Sequence, residues 1–279
     1  MPTLTLTTDY GEKDHYVGAV KGAIYARVPT ARIVDITHSV SPFHTPEAAY
    51  IIRNAFPFFP SGTIHIIGID TEQTPLQKHL LVCLKNQYFI CADNGIISLI
   101  ASEHKPDKII AIEHPKSNHS TFPVLDVFVD IAVALSEGKN PDTLGHQTNE
   151  IKQLRSLSPV VKMDGKQIIG TVIYIDNYGN VICNITRSFF EQEAKGRSFL
   201  ITARSAKFSK IQQNYSDMVN FSVEEDQRFK EGNKLAVFNH AGFLEIAIYR
   251  GNPDTSGGAS SLLGLDYSDT ITVDFLESN

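Results

Sequence analysis

The stretch "IHIIGIDTEQTP" covers residues 64–75. It reads as a buried β-strand that ends abruptly in Asp70, followed by a polar segment closed by Pro75. Asp70 therefore stands where a strand gives way to a loop. Its carboxylate either turns the chain or meets a ligand.

The sequence on either side decides the kind of sheet. Upstream, "TLTLTTDYG" (3–11) is a short β-branched strand, and "DHYVGAVKGAIYARVP" (14–29) follows with apolar residues close to a 3.6-residue period. "ARIVDITHSV" (31–40) repeats the strand, and "TPEAAYIIRNAFPFFP" (45–60) repeats the helix, with Thr45 expected as its cap before Pro46 and Glu47. Downstream, "HLLVCLKNQYFICA" (79–92) predicts a hairpin turning at Asn86 and "NGIISLIASEH" (94–104) a short helix. "DKIIAIEH" adds a strand, and "TFPVLDVFVDIAVALSEG" (121–138) a helix with Pro123 in its first turn. Apolar strands alternating with helices predict an α/β fold, a mostly parallel sheet flanked by helices on both faces.

Beyond "KNPDTLGHQTNEIKQLRSLSP" the texture changes to short β-rich runs divided by Gly, Asn and Asp, with no long amphipathic helix. Such a series predicts a smaller β-barrel-like domain. The expected organisation is an α/β domain over residues 1–150 and a β-barrel-like domain over 165–279.

Of 279 residues, 42% are hydrophobic, enough for substantial cores. The formal net charge is -6 and there is no extended basic cluster, which argues against a nucleic-acid partner. Cys83, Cys91 and Cys183 sit within apolar runs at no metal-like spacing, as small buried hydrophobes of a reducing compartment would. The N-terminus lacks the pattern of a secretory signal, and no run approaches the roughly 18 apolar residues of a membrane span. The expectation is a cytoplasmic protein with no membrane partner.

Ligands of α/β sheets collect beyond the carboxyl ends of the strands. Four carboxylates qualify: Asp9, Asp35, Asp70 and Asp93. Each has a structural alternative, since Asp at a strand end often accepts backbone N–H bonds or caps a helix. Asp9 and Asp14 flank one strand-to-helix turn, where a carboxylate suits a ribose diol; Asp14 could instead be the helix cap. No phosphate-cradling loop, "HExxH" or "GxSxG" is present, and the spacing of His38, His44, His65, His79, His114 and His119 names no metal. In the second half, "VIYIDNYGNVICNI" (172–185) reads as a hairpin. A hairpin accounts for Gly179 but does not require Asp176, Tyr178 and Asn180 together. The Asn180 amide could read adenine, donating to a ring nitrogen and accepting from the exocyclic amine.

Together "TTDYGEKDHYVGAVKG", "IVDITHSVSPF", "AAYIIRNAFPFFPSGTIHIIGID", "ADNGIISLI", "STFPVLDVFVDIAVALSEG", "GTVIYIDNYGNVICNI" and "GFLEIAIYRGN" resemble the S-adenosylmethionine hydroxide adenosyltransferases, relatives of the fluorinating and chlorinating enzymes. The resemblance implies a homotrimer whose ligand sites lie between neighbouring subunits, S-adenosylmethionine as substrate or ligand, and no other cofactor. It implies that Asp9 holds the ribose hydroxyls, Asp14 lies near the methionine end, Phe43 forms an aromatic wall, Asp176 meets the amino-acid portion and Asn180 reads adenine. The implied reaction is attack of water on the ribose C5′, with Asp70 as the catalytic carboxylate.

The sequence departs from the family at the reacting centre. An arginine and a histidine are expected beside the aspartate, and Gln77 and Pro123 stand in their places, with Leu125 where a second arginine would be. Lys78 or His79 could substitute if the loop shifts. The acidic Glu72 disfavours a halide. Two readings follow: a divergent S-adenosylmethionine hydrolase, or a catalytically inactive adenosine- or S-adenosylmethionine-binding protein.

Overall fold

Strand, turn and helix alternate from the first residues. The computed structural model describes residues 2–116, 119–155, 157–224 and 233–276; residues 225–232 and 277–279 of the expected second domain fall outside that set. The chain divides into two units, Met1–Ser156 and Leu157–Asn279.

The first unit runs β1 (Thr3–Thr8), α1 (Tyr16–Arg27), β2 (Arg32–Thr37), α2 (Thr45–Ala55), β3 (Ile64–Gly68), β4 (His79–Leu84), β5 (Gln87–Ala92), α3 (Ile96–Ile100), β6 (Lys108–Ile112), α4 (Val129–Ser136) and β7 (Gly145–Gln147). The strands form one sheet in the order β2-β1-β3-β5-β4-β6-β7. β2, β1, β3 and β5 are parallel, and β4, β6 and β7 join antiparallel. The change of sense begins at the β4–β5 hairpin. Its two turn residues, Lys85 and Asn86, are both left-handed (φ 50° and 58°), which matches the twist of the flanking strands.

Successive strand residues point to opposite faces, so each strand feeds two cores. Leu4, Leu6, Ile64, Ile66, Ile90 and Ile110 pack with Val20 and Ile24 of α1 and Ile131 of α4. Ile67, Ile69, Leu80, Val82 and Phe89 pack with Ala48 and Ile52 of α2 and Ile96 of α3. The cap of α2 lies one residue earlier than expected. His44, not Thr45, is the N-cap, and its ring accepts from the Glu47 N–H while Pro46 fills the first turn. Pro123 precedes a π-helical turn, Val124–Phe128, before α4 begins.

One polar network crosses the centre of this sheet. His65 is 1% exposed, stacked on Phe89 at 4.6 Å and met edge-on by Phe56 and Phe59. Gln87 donates from Nε2 to the carbonyls of Phe56 and Phe59, which leaves its Oε1 to accept from His65 Nε2 at 2.6 Å. His65 Nδ1 is then the acceptor for Thr5 Oγ1, at 2.7 Å. The neutral imidazole satisfies both neighbours. Burial pushes His65 down to about 4, with the Gln87 bond opposing.

The second unit runs β8 (Val160–Lys162), β9 (Gln167–Ile175), β10 (Val181–Thr186), α5 (Arg187–Ala194), β11 (Phe199–Ala203), β12 (Ala206–Phe208), β13 (Ile211–Gln212), β14 (Lys234–Phe238), β15 (Phe243–Ile248), α6 (Ala259–Leu263) and β16 (Thr270–Phe275). Its sheet follows the order β12-β11-β16-β9-β10-β15-β14-β13, with β8 also on β9. The first half of β9 pairs with β16 and the second half with β10, so this long strand carries the sheet around towards a barrel. The core contains Ile168, Cys183, Phe190, Ile201, Leu244 and Val273. α5 is an addition to the β-rich expectation. Thr186 caps it through the Phe189 N–H, and Phe190 anchors it in the core. The three cysteines are unpaired, and burial raises the thiols of Cys91 and Cys183, the latter to about 12.

The His65 network makes stability depend on pH. Unfolded His65 protonates near its ordinary 6.5, whereas the folded residue resists until about 4. Its contribution is therefore complete above pH 6.5 and is lost as pH falls from there towards 4. Replacing His65→Ala should cost about 2–4 kcal/mol at pH 7.5, from the cavity and the two polar partners left behind. Denaturant unfolding at pH 7.5 and pH 5 checks both statements: the wild type should lose more stability over this interval than the variant.

Candidate functional site

β1 and β3 lie side by side in register, with Thr8 opposite Gly68. The chain leaves both strands at the same edge of the sheet, so Asp9 and Asp70 emerge together. Asp9 Oδ2 accepts the Phe43 N–H at 2.9 Å, which joins a third expected site residue to the pair. Phe43 is 72% exposed. Phe43 and Asp70 are both left-handed (φ 61° and 45°), a conformation that costs a non-glycine residue energy and recurs at functional sites.

The Asp9 carboxyl is raised above its usual range. Burial is the main cause, and the nearby negative charge of Asp70 adds to it; the N–H bonds from Phe43 and from Asp9 itself act the other way. A carboxylate offers about four acceptor positions, so the Phe43 bond leaves Asp9 capacity for a ligand diol. Asp14 lies in an exposed bend before α1. It is not the helix cap: His15 holds that position and makes no side-chain cap bond.

The other two candidate carboxylates, Asp35 within β2 and Asp93 directly after β5, are engaged by the protein itself. Asp35 pairs with Lys21 and lies 3.1 Å from His38 Nε2. Burial would raise its carboxyl, but these two partners outweigh that and hold it below the usual range. His38 Nδ1 lies 2.8 Å from Thr8 Oγ1. The order acid, imidazole, hydroxyl is that of a nucleophile triad, but Thr8 is 2% exposed and cannot reach a substrate. Asp93 accepts the Lys152 N–H at 2.9 Å and fastens a later segment of the unit.

The loop after Asp70 follows a path that its sequence did not reveal. Asn94 Nδ2 donates to the Ile69 carbonyl at 2.9 Å, and Gln77 Nε2 donates to those of Asp70 and Glu72 at 2.9 and 3.0 Å. His79 Nε2 lies 2.9 Å from the Thr71 carbonyl. His79 is 0% exposed, packs edge-on against Phe128, and is pushed below its ordinary range, chiefly by burial. It supports the loop and is not a replacement for the expected histidine base.

At the positions of the expected histidine and second arginine, Pro123 starts the π-helical turn and Leu125 packs against the core. Asp126 in that turn accepts from Ser120 Oγ at 2.7 Å. Phe122 meets Tyr10 and Tyr16 with ring centroids 5.6 and 5.2 Å apart, and Tyr10 meets Tyr16 at 5.6 Å. Tyr10 also hydrogen-bonds the Thr71 side chain, and burial raises its hydroxyl. Its ring lies over Gly68, where an added Cβ would come within 3.0 Å of the hydroxyl oxygen. Tyr10 thus links the strand end at Asp9 to the loop at Asp70. Its position directly after Asp9 was the available signal.

In the second unit, Asp176 and Asn180 form a single turn. Asp176 Oδ1 accepts from the Tyr178 and Asn180 N–H groups at 2.9 and 2.8 Å, and Oδ2 from Asn180 Nδ2 at 3.0 Å. The hairpin therefore does use Asp176 and Asn180, contrary to the simplest reading of its sequence. The bonds to Asp176 use one N–H of the Asn180 amide and leave its Oδ1 and second N–H outside the turn. Gly179 lies against the Gly258 backbone at the start of α6; a Cβ on Gly258 would meet Gly179 Cα at 2.7 Å, and one on Gly179 would meet Gly258 Cα at 3.0 Å. Glu245 is a further carboxyl near this turn. It is 3% exposed, accepts from Tyr215 Oη at 2.6 Å, and is raised above its usual range by burial and by the charge of Asp176. A lone acid within the apolar run "FLEIAI" was its only mark in the sequence.

Two carboxylates beyond the carboxyl ends of adjacent parallel strands, with an exposed aromatic held beside one of them, occupy the place where ligands of α/β sheets collect. Family models for the SAM hydroxide adenosyltransferase N-terminal and C-terminal domains match residues 4–145 and 170–272. The chain belongs to that family. It is 29% identical to the (R)-S-adenosyl-L-methionine hydrolase of Methanocaldococcus jannaschii over 97% of this chain and 95% of that one. It is 25% identical to the Thermus thermophilus protein of the same name, over 88% and 91%. A crystal structure of a conserved Thermotoga maritima protein superposes with a TM-score of 0.81 at 28% identity, covering 98% of this chain and 100% of the other.

Proximity of the two carboxylates has a direct test. Removing the Asp70 charge should lower the Asp9 pKa, because a like charge nearby disfavours ionisation. Carboxyl-carbon NMR titration of wild type and Asp70→Asn checks this. An unchanged Asp9 midpoint would show that the two groups do not interact.

Proposed function

We propose that this protein hydrolyses S-adenosylmethionine to adenosine and methionine. The observation that carries the reading is the joint emergence of Asp9 and Asp70 at one sheet edge, with Phe43 tied to Asp9. Family membership and the activity named for the relatives support it. In this reading Asp9 receives the ribose diol, Phe43 covers the sugar and base, and Asp14 lies towards the methionine end. Asp176 serves the amino-acid portion through the turn it holds, and Asn180 reads the adenine edge.

Water attacks C5′ of the ribose. A C–O bond forms, the C5′–S bond breaks with its electron pair returning to sulfur, and the water proton is released. The substrate sulfur is already cationic, so methionine leaves as a neutral thioether and no metal or further cofactor is required. Asp70 accepts a hydrogen bond from the water and aligns it opposite the C–S bond; such alignment is a large part of the catalysis available to a displacement of this type. Met1–Ser156 acts as the adenosyl-binding domain, the working form is a homotrimer, and the protein operates in the cytoplasm.

The decisive experiment incubates the protein with S-adenosylmethionine and resolves the products by chromatography. Equimolar adenosine and methionine are expected. Product equal to the buffer blank would leave a silent binder. Asp70→Asn should reduce turnover on the order of 100-fold, since a single aligning contact is lost while Asn keeps the left-handed backbone that Asp70 adopts. Calorimetry should favour adenosine over inosine by about 1–3 kcal/mol if Asn180 reads the 6-amino group. Equal affinities would remove that role. Light scattering should give the mass of a trimer.

A further inference from the structure

The carbonyls of residues 69, 70, 71 and 72 are each met by a side-chain nitrogen. Asn94 takes the first, His79 the third, and Gln77 both the second and the fourth. Gln77 is the most constrained of the three. Its amide nitrogen carries two N–H groups and spends one on Asp70 and one on Glu72, at 2.9 and 3.0 Å. The opposite assignment of the amide would press its oxygen against two carbonyls, so the orientation is fixed by the bonds themselves. The Gln77 backbone is tied as well: its N–H donates to the Thr74 carbonyl at 3.1 Å, and its own carbonyl accepts from the Thr74 N–H at 3.0 Å.

We infer that Gln77 is a positioning residue for Asp70, a clamp whose amide closes the Asp70–Glu72 bend and holds the Asp70 backbone left-handed with its carboxylate aimed at the water. The inference rests on the hydrolase reading for its kinetic consequence but not for its structural content. The physical need is plain. Asp70 is a non-glycine residue at φ 45°, a region that relaxes unless its surroundings hold it. The Gln77 amide grips the carbonyl on the C-terminal side of that strained residue, and Asn94 grips the Ile69 carbonyl on the N-terminal side. A neutral donor here also differs from a cationic one. It fixes the backbone without presenting a positive charge to the Asp70 carboxylate.

The test combines hydrogen exchange with kinetics on Gln77→Ala, Gln77→Glu and Gln77→Arg. In Gln77→Ala the amides of residues 70–77 should exchange at least about 10-fold faster, as a segment released from local hydrogen bonds does, while β3 and β4 keep wild-type protection. Turnover should fall on the order of 10- to 100-fold in kcat with KM within about twofold, because the loss is one of alignment and not of substrate binding. Gln77→Glu removes the N–H donors at nearly constant size and should behave as badly or worse. Gln77→Arg restores donors and should recover part of kcat.

Unchanged exchange across residues 70–77 in Gln77→Ala would overturn the clamp, whatever the activity. Faster exchange with undiminished kcat would overturn its role in positioning, as would loss of protection spread evenly through β3 and β4. A wild type without turnover would end the hydrolase reading, and the exchange experiment would still decide whether Gln77 holds the loop.

Discussion

Thr63 to Ile69 is buried without a break, because β3 is flanked by paired strands and covered by a core on each face. A chain in that position can carry no charge and must pair every polar atom internally. His65 meets the condition as a neutral ring between Thr5 and Gln87. The first place at which the strand can present a carboxylate is its end, at Asp70. β1 runs parallel in register and reaches its own end at the same level, so the constraint on one strand places two acids together. The Asp9 carboxyl is raised chiefly by its burial there, with a smaller push from the Asp70 charge, and the Phe43 N–H partly offsets both.

These features were legible in the sequence because they follow from local rules. A β-branched run ends, an acid follows, and a glycine or polar turn reverses the chain; Asp9, Asp70 and the 172–185 hairpin were visible in this way. What escaped depends on the path of the chain between elements. Gln77 stands out in the sequence only as a replacement for an expected arginine; its bonds to two carbonyls exist only once the loop folds back and brings both within reach of one nitrogen. Tyr10 matters because Gly68, far away in sequence, leaves room for its ring. Glu245 reaches Tyr215 across a separation that no periodicity encodes. The cap of α2 was misplaced for a smaller reason: His44 accepts the bond that a Thr45 hydroxyl was expected to accept.

The two units use their acids differently. In the first, Asp9 spends one oxygen on a backbone N–H and retains acceptor capacity. In the second, both Asp176 oxygens accept bonds from within the turn, three in all, so its charge shapes the chain. A carboxylate saturated by its own turn and one that keeps acceptor positions open look identical as letters. Their separation depends on how many backbone donors the local turn supplies.

The contact between Gly179 and Gly258 has a consequence on a different timescale. Each occupies the space that a side chain on the other would need, and Gly179 is also left-handed at φ 72°. Neither position can drift by itself, since any first substitution meets backbone and not a flexible side chain that could yield. In inheritance the pair behaves as one character, with a change at either site open only to a lineage that has already moved the turn or the start of α6 apart. Across descendants of this chain, two glycines nearly eighty residues apart should be kept or lost together, although they share no chemistry and make no bond through a side chain.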